Sequence, residues 1–406
     1  MNILSLFDGM SCGQQALQRC GFKVDNYFAS EIDKHAIKVT MANYPNTQQL
    51  GSVVDVNGYD LPKIDLLIGG SPCQSFSFAG KRKGMSTKDE QEILTLDHYL
   101  QLKSEGFEFE GQSYLFWEYM RLLNELRSKN PDVYFLLENV EMGEKWEKVL
   151  SKAIGVNGIH INSALVSAQN RKRIYWTNIG MQPSGLFGDM QSIIEQPKDK
   201  GILLKDVLES EVDEKYFLSD KAALGILKHK EIQKEKGFGF GAVIKNENEK
   251  MNSLKIGGKG VDDLIVHNTM PRSSTTGKGG TGPLSRADGK TYCLDTGNTN
   301  AVEIVPMDYR YDEGFRPRIN GKSPTLTITN DSNSLSGKPL VMKQQRIRRL
   351  TPIECERLQT VSDNYTAHVS DSQRYKMLGN GWTVDVICHI FNYLNYERSS
   401  HTKADN

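Results

Sequence analysis

Ile64-Asp65-Leu66-Leu67-Ile68-Gly69-Gly70-Ser71-Pro72-Cys73-Gln74 is an apolar run of strand length that ends in a Gly/Pro turn carrying a cysteine. The run reads as a buried strand. In an open α/β sheet, ligands bind and chemistry occurs just past the carboxyl ends of such strands. Two further segments share this layout: Glu138-Asn139-Val140 after the run Val133–Leu137, and Gln169-Asn170-Arg171-Lys172-Arg173. A thiol, a carboxyl and a pair of arginines at the ends of apolar runs suggest nucleophilic attack on an electron-poor, hydrogen-bonding substrate.

The flanking chain alternates strand and helix, as a doubly wound sheet does. A strand at 3–7 turns through Asp8-Gly9 into a helix near 14–20, and a second strand at 24–29 ends in Glu31-Ile32-Asp33 before a helix near 34–42. A long polar segment at 86–112 reads as a loop with short helical pieces, and Leu115, Phe116, Tyr119, Met120, Leu122, Leu123 and Leu126 then form a helical stripe, a packing face. From 181 to 345 the apolar runs shorten and turn signals recur, which suits a smaller, mostly β domain. Helical patterning returns at Thr351-Pro352-Ile353-Glu354, a capping box with proline in the first turn, and a second capping box is predicted at Ser370-Asp371-Ser372-Gln373. The domains expected are 1–180, completed by 346–398, and 181–345 between them, with a polar, disordered tail from Ser399 to 406.

Lys+Arg and Asp+Glu number 50 each, so net charge points to no partner. Residues 221–345 nevertheless hold 19 Lys/Arg against 13 Asp/Glu, and Lys81-Arg82-Lys83 and Arg171-Lys172-Arg173 lie beside the proposed chemistry. That is a positive field for phosphates. No apolar run approaches the roughly 20 residues that span a bilayer, and no basic segment precedes the first strand as it would in a signal peptide. The six cysteines include no Cys-x-x-Cys pair, so neither a metal site nor a disulfide framework is expected. A free thiol suits a reducing cytoplasm.

Pro72-Cys73-Gln74, Glu138-Asn139-Val140 and Gln169-x-Arg171-x-Arg173, in that order, resemble the signature of the DNA cytosine-5 methyltransferases. The resemblance extends to Phe7-Asp8-Gly9-Met10-Ser11-Cys12-Gly13, to Arg349–Gln359 and to Leu378-Gly379-Asn380-Gly381-Trp382, and covers roughly 1–180 and 345–395. Phe-Asp-Gly and the tryptophan are the forms found in the mammalian de novo enzymes. The resemblance implies a Rossmann-like catalytic sheet with a smaller target-recognition domain, and methyl transfer from S-adenosylmethionine to carbon 5 of a flipped-out cytosine in double-stranded DNA, leaving S-adenosylhomocysteine.

The resemblance also assigns roles. Cys73 would add to carbon 6 of the base, Glu138 would serve ring nitrogen 3, and Arg173 would contact the base carbonyl. Arg171 stands with them, bracing the site together with Gln169. Phe7, Asp8, Gly9, Met10, Cys12, Glu31, Ile32, Pro72, Leu115, Asn380 and Trp382 would line the cofactor, with Glu31 on the ribose hydroxyls and Ile32 on adenine. Ser77, Lys81 and Arg82 follow Cys73 in a loop that closes over DNA, and Thr325-Leu326 matches a dipeptide of recognition domains.

One departure concerns adenine. Where the family has Gly-Asp after its third strand, this chain has Gly51-Ser52-Val53, with Asp55 three residues on, so either Ser52 or Asp55 would read the base, with Val53 beside it. A monomer is expected, in the cytoplasm of a bacterial or phage-infected cell, with a cognate restriction enzyme as a compatible partner. Two rival readings are a tRNA cytosine methyltransferase, whose Cys-Phe-Thr motif is absent here, and a catalytically silent binding relative, which would not need Cys73, Glu138 and Arg173.

Overall fold

The computed structural model describes residues 1–72, 92–109, 112–184, 189–216, 250–252, 301–302, 307–310, 314–317 and 348–404. Cys73, Ser77, Lys81, Arg82, Thr325 and Leu326 lie outside the described residues. The first half builds β1 (Asn2–Leu6), α1 (Cys12–Arg19), β2 (Asn26–Ser30), α2 (Lys34–Asn43), β3 (Gln48–Gln49) and β4 (Leu66–Gly70). There follow α3 (Leu96–Ser104), α4 (Leu115–Lys129), β5 (Tyr134–Val140), α5 (Glu144–Ile154), β6 (Ile159–Asn162), β7 (Gln169–Asn170) and β8 (Lys172–Thr177).

Seven of these strands form one sheet in the order β3-β2-β1-β4-β5-β8-β6. β1 to β5 are parallel, and β8 runs antiparallel to both its neighbours. The chain winds outward from β1 through β2 to β3, then returns to place β4 on the other side of β1. That reversal opens a crevice at the carboxyl ends of β1 and β4. Phe7–Gly9 leave β1 there and Ser71-Pro72 leave β4 there.

Successive strand residues face opposite sides, and the two cores follow that period. Ile3, Leu66, Ile68 and Leu136 enter one core, while Leu4, Leu67, Phe135 and Leu137 enter the other. The predicted stripe of α4 fills the second core with Phe116, Tyr119, Met120, Leu122, Leu123 and Leu126. The first core is closed by three late helices: α6 (Pro352–Leu358), α7 (Asp371–Asn380) and α8 (Val384–Ala404). Ile387, Ile390, Phe391 and Leu394 of α8 lie against Ala16, Leu17 and Phe22, so the end of the chain packs on elements from its start. Leaving those four side chains exposed would cost roughly 1.5–3 kcal/mol each.

The capping box at α6 forms as predicted: Thr351 accepts from the Glu354 N–H, and Glu354 accepts from the Thr351 N–H. Ser370 does sit at the N-cap of α7, but its side chain makes no cap bond. Asp371 next to it accepts instead from the Tyr216 hydroxyl (2.9 Å). The helix runs to Asn380. α8 extends to Ala404, beyond the predicted order limit at Ser399. No glycine or proline interrupts 384–404, and a helix already nucleated by packing propagates cheaply.

Within 181–345, β9 (Met181–Ser184) and β10 (Asp189–Ser192) form an antiparallel hairpin. The chain then returns to the core that α8 closes. Ile194, Leu204 and Val207 pack in the same core as α8, and the Glu209 N–H donates to Glu354 (2.9 Å). Further on, β11 (Met251–Asn252) pairs with β7, a hairpin joins β13 (Met307–Arg310) to β14 (Gly314–Pro317), and β12 (Ala301–Val302) pairs with β15 (Arg348–Arg349). Among the described residues no helix is long and apolar enough to cross a membrane.

Candidate active site

Glu138 and Arg173 come together because β5 and β8 are adjacent and antiparallel. Arg173 stands opposite Val140, two residues along from Glu138, so both side chains share one face of the sheet. Arg173 Nε lies 2.8 Å from Glu138 Oε1, with both side chains almost fully buried. Glu138 Oε2 accepts from the Trp382 indole N–H at 3.2 Å. Gly70, at the end of β4, is in register with Glu138. A Cβ at Gly70 would fall 2.9 Å from Trp382 Nε1 and 3.0 Å from Glu138 Oε2, so the approach of β4 to this pair needs a residue without a side chain. The next residue, Ser71, is buried, and Asn139 Nδ2 donates to its hydroxyl (2.9 Å) and carbonyl (3.2 Å). The base of the turn that leads to Cys73 is thus tied to the strand that carries Glu138.

Arg171 does not join that pair. Its guanidinium is buried and donates to the carbonyls of Gly379 (3.2 Å) and Gly381 (2.9 Å). Gln169 donates to the Leu358 carbonyl at 3.2 Å. The two side chains hold the α6 and α7 segments, and with them Trp382, against the sheet.

The loop after β1 is held in an unusual backbone. Phe7, Gly9 and Ser11 have φ of 57°, 59° and 63°. For the two residues with side chains this left-handed conformation costs roughly 1–2 kcal/mol each. The surroundings supply the compensation. The Gly9 N–H donates to Glu31 Oε2 (2.8 Å), the Asp8 N–H to the Ser30 carbonyl (3.2 Å) and the Tyr365 hydroxyl to the Met10 carbonyl (2.6 Å). Strain of this kind concentrates where a ligand is held. Glu31 Oε1 also accepts from the N–H groups of Ile32 and Asp33, each at 2.8 Å. A carboxylate offers about four acceptor positions, which leaves room for one more donor.

Asp8 Oδ1 accepts from the Tyr27 hydroxyl (2.8 Å), while Oδ2 is closed off from solvent and has no hydrogen-bond partner. Burial raises the Asp8 carboxyl from 3.8 to about 6; the Tyr27 hydroxyl opposes that shift and the charge of Glu31 adds to it. Burial likewise pushes the Cys12 thiol up to about 12, which makes it a packing group rather than a nucleophile.

The remaining predicted cofactor residues differ in exposure. Ile32 is an apolar side chain left 70% exposed at the end of β2. Met10 and Val53 are buried, Ser52, Pro72, Leu115 and Trp382 are partly buried, and Asn380 and Asp55 are exposed. Open space surrounds the positions a Cβ would take at Gly9 and Gly51. An exposed isoleucine, open glycine backbone and an acceptor at Glu31 fit an adenosyl group. Three contributors escaped the sequence reading: Gly70, Asn139 and Tyr365. Asn139 was visible inside Glu-Asn-Val and Gly70 inside Gly-Gly-Ser-Pro, but Tyr365 carries no local signal.

The family model described as C-5 cytosine-specific DNA methylase matches residues 1–395. The chain is 28% identical to the orphan methyltransferase M.SPRI of Bacillus phage SPR, over 97% of each chain. It is 27% identical to the type II methyltransferase M1.ScrFI of Lactococcus lactis subsp. cremoris, over 91% of this chain and 72% of that one. Among solved structures, the Dnmt2 methyltransferase of S. pombe aligns with a TM-score of 0.53 at 14% identity, over 97% of this chain and 99% of that one, a likeness of fold.

Proposed function

The chain belongs to the family of C-5 cytosine-specific DNA methylases, and from that premise we propose how its residues carry methyl transfer to DNA cytosine. S-adenosylmethionine supplies the methyl group. The target cytosine leaves the duplex stack, because carbon 6 is out of reach within it. The Cys73 thiolate adds to carbon 6, and the ring electrons displaced by that addition make carbon 5 nucleophilic. As the base enters, Glu138 takes up a proton and gives up its pairing with Arg173; it then donates that proton to ring nitrogen 3 as charge builds there, while Arg173 steadies the carbonyl oxygen. Loss of the carbon 5 proton and departure of the thiolate then restore the aromatic ring.

The observation that carries this reading is the buried Glu138–Arg173 pair, 2.8 Å apart, beside the strand end that leads to Cys73. Arg171 is a positioning residue in this scheme, since its guanidinium is spent on Gly379 and Gly381. The β1 loop, Glu31, Ile32, Ser52, Val53, Pro72, Leu115, Asn380 and Trp382 hold the cofactor, with adenine near Ser52 and Val53. Ser77, Lys81, Arg82, Thr325 and Leu326 are candidates for DNA contact.

Residues 193–209 pack with the catalytic core, so we place the reader of the DNA word after Glu209 and before Arg346. The action is proposed for a bacterial or phage-infected cell. A partner restriction enzyme is compatible with the type II relative, and solitary action with the orphan one.

A duplex with 5-fluorocytosine at the target tests the thiol, because fluorine blocks the final elimination. We expect wild type to be trapped as a covalent complex and Cys73→Ser neither to trap nor to turn over. Trapping by the serine variant would remove Cys73 from this role.

A further inference from the structure

One side of α4 grips the backbone of the loop that follows β3. Glu118, Arg121, Glu125 and Lys129 recur along α4 at helical spacing, on one face. Arg121 donates to the carbonyls of Val53 (3.2 Å) and Val56 (2.9 Å). Glu125 Oε2 accepts from the Gly58 N–H (2.7 Å), and Lys129 donates to the carbonyls of Tyr59 (2.6 Å) and Leu61 (2.7 Å). Arg121 is itself fixed from both sides, by Glu118 Oε2 and Glu125 Oε1, each at 2.7 Å. Glu118 is fully buried and also accepts from the Tyr99 hydroxyl and Lys103 of α3.

Two observations set this apart from a solvated charged face. The Arg121 side chain is only 14% exposed, and its partner Glu118 is 0% exposed. Burying such charges is expensive unless geometry and hydrogen bonds compensate. The loop also sits too close for a side chain at Gly58, where a Cβ would come within 2.9 Å of both Cβ and Oε2 of Glu125. Apart from a single 3-10 turn at Gly58–Asp60, the loop has no regular structure of its own. Its near end is pinned where the Ser30 hydroxyl donates to the Gly51 carbonyl (2.8 Å). Between those anchors, the backbone of Val53 and Val56 takes its position from the Arg121 guanidinium. A planar fork can serve two carbonyls and two carboxylates at once, and an ammonium cannot.

We propose that Arg121 is a positioning residue for the adenine end of the cofactor site: by holding the Val53 and Val56 carbonyls it sets where Ser52 and Val53 stand. The proposal rests on the placing of adenine beside that pair. Its test uses the full-length protein and two probes, S-adenosylhomocysteine and S-inosylhomocysteine, which differ in the purine edge alone. Binding is measured by titration calorimetry for wild type, Arg121→Lys and Gly58→Ala, with melting curves to confirm folding.

Wild type is expected to prefer the adenosyl probe. Both variants should bind it up to about tenfold more weakly, the size of one hydrogen bond. They should bind the inosyl probe nearly unchanged, and turn over DNA at saturating cofactor at the wild-type kcat. Intact adenosyl binding in both folded variants overturns the proposal, and so does equal weakening of both probes, which marks a merely structural role. A wild type that shows no preference overturns the placing of adenine as well, so the two failures are told apart.

Discussion

Replacing Glu138 with glutamine keeps the shape of the side chain and removes one acceptor. Both neighbours of the carboxylate are donors: Arg173 Nε at 2.8 Å on Oε1 and the Trp382 indole N–H at 3.2 Å on Oε2. A glutamine has a single oxygen, so one of these donors must face its NH2 group. A buried donor left unsatisfied costs about 1–3 kcal/mol, and the buried Arg173 charge loses its counter-ion as well. The amide should turn its oxygen to Arg173, the stronger partner, and release Trp382. Two effects are therefore expected together. Methyl transfer should fall by about 10²–10⁴, the usual worth of a positioned general acid, and the melting temperature should drop by a few degrees. Single-turnover transfer of a labelled methyl group to duplex DNA measures the first, and calorimetric melting the second. A rate within about threefold of wild type, in a protein destabilised as described, would show that Glu138 is structural and refute the proposed proton donation.

Gly70→Ala places a methyl 2.9 Å from Trp382 Nε1 and 3.0 Å from Glu138 Oε2. Displacing reacting groups by about an ångström should cost on the order of 10²-fold in rate, and an unchanged single-turnover rate would show that the crowding is relieved without moving Glu138. For Asp8, the carboxyl is raised from 3.8 to about 6 in the folded protein. Its contribution to stability is thus fully present below about pH 4 and lost as pH climbs through about 6. Measured against Asp8→Asn by chemical denaturation, wild type should lose up to about 3 kcal/mol between pH 4 and 7, and a pH-independent difference would contradict the assigned burial of the charge. Grafting residues 210–345 into another member of the family should transfer the methylated DNA word, as read by methylation-sensitive sequencing. An active chimera that keeps its host's word would move the reader elsewhere.

What the sequence determined by itself was local in kind. Apolar runs with a period of two, glycine turns and the Thr351–Glu354 box are each written within about ten residues. The α/β winding, the stripe of α4 and the start of α6 could therefore be read directly. Glu138 and Arg173 each stand in a short motif, so they too could be picked out as candidates. Tertiary structure decided whatever depends on partners distant in sequence. Trp382 reaches Glu138 across 244 positions, and Arg171 is drawn to Gly379 and Gly381 across 208 and 210. Ile194, Leu204 and Val207 pack in the same core as α8, although the sequence reading grouped them with 181–345. Arg121 lies in a helix read from the sequence for its apolar stripe alone, yet it is buried against a loop some 65 residues earlier, with Glu118 as its buried partner. Local periodicity reports which side of an element is apolar. It carries no information about which carbonyl or carboxylate will be waiting once the chain has closed its long loops, and that closure is what built the site.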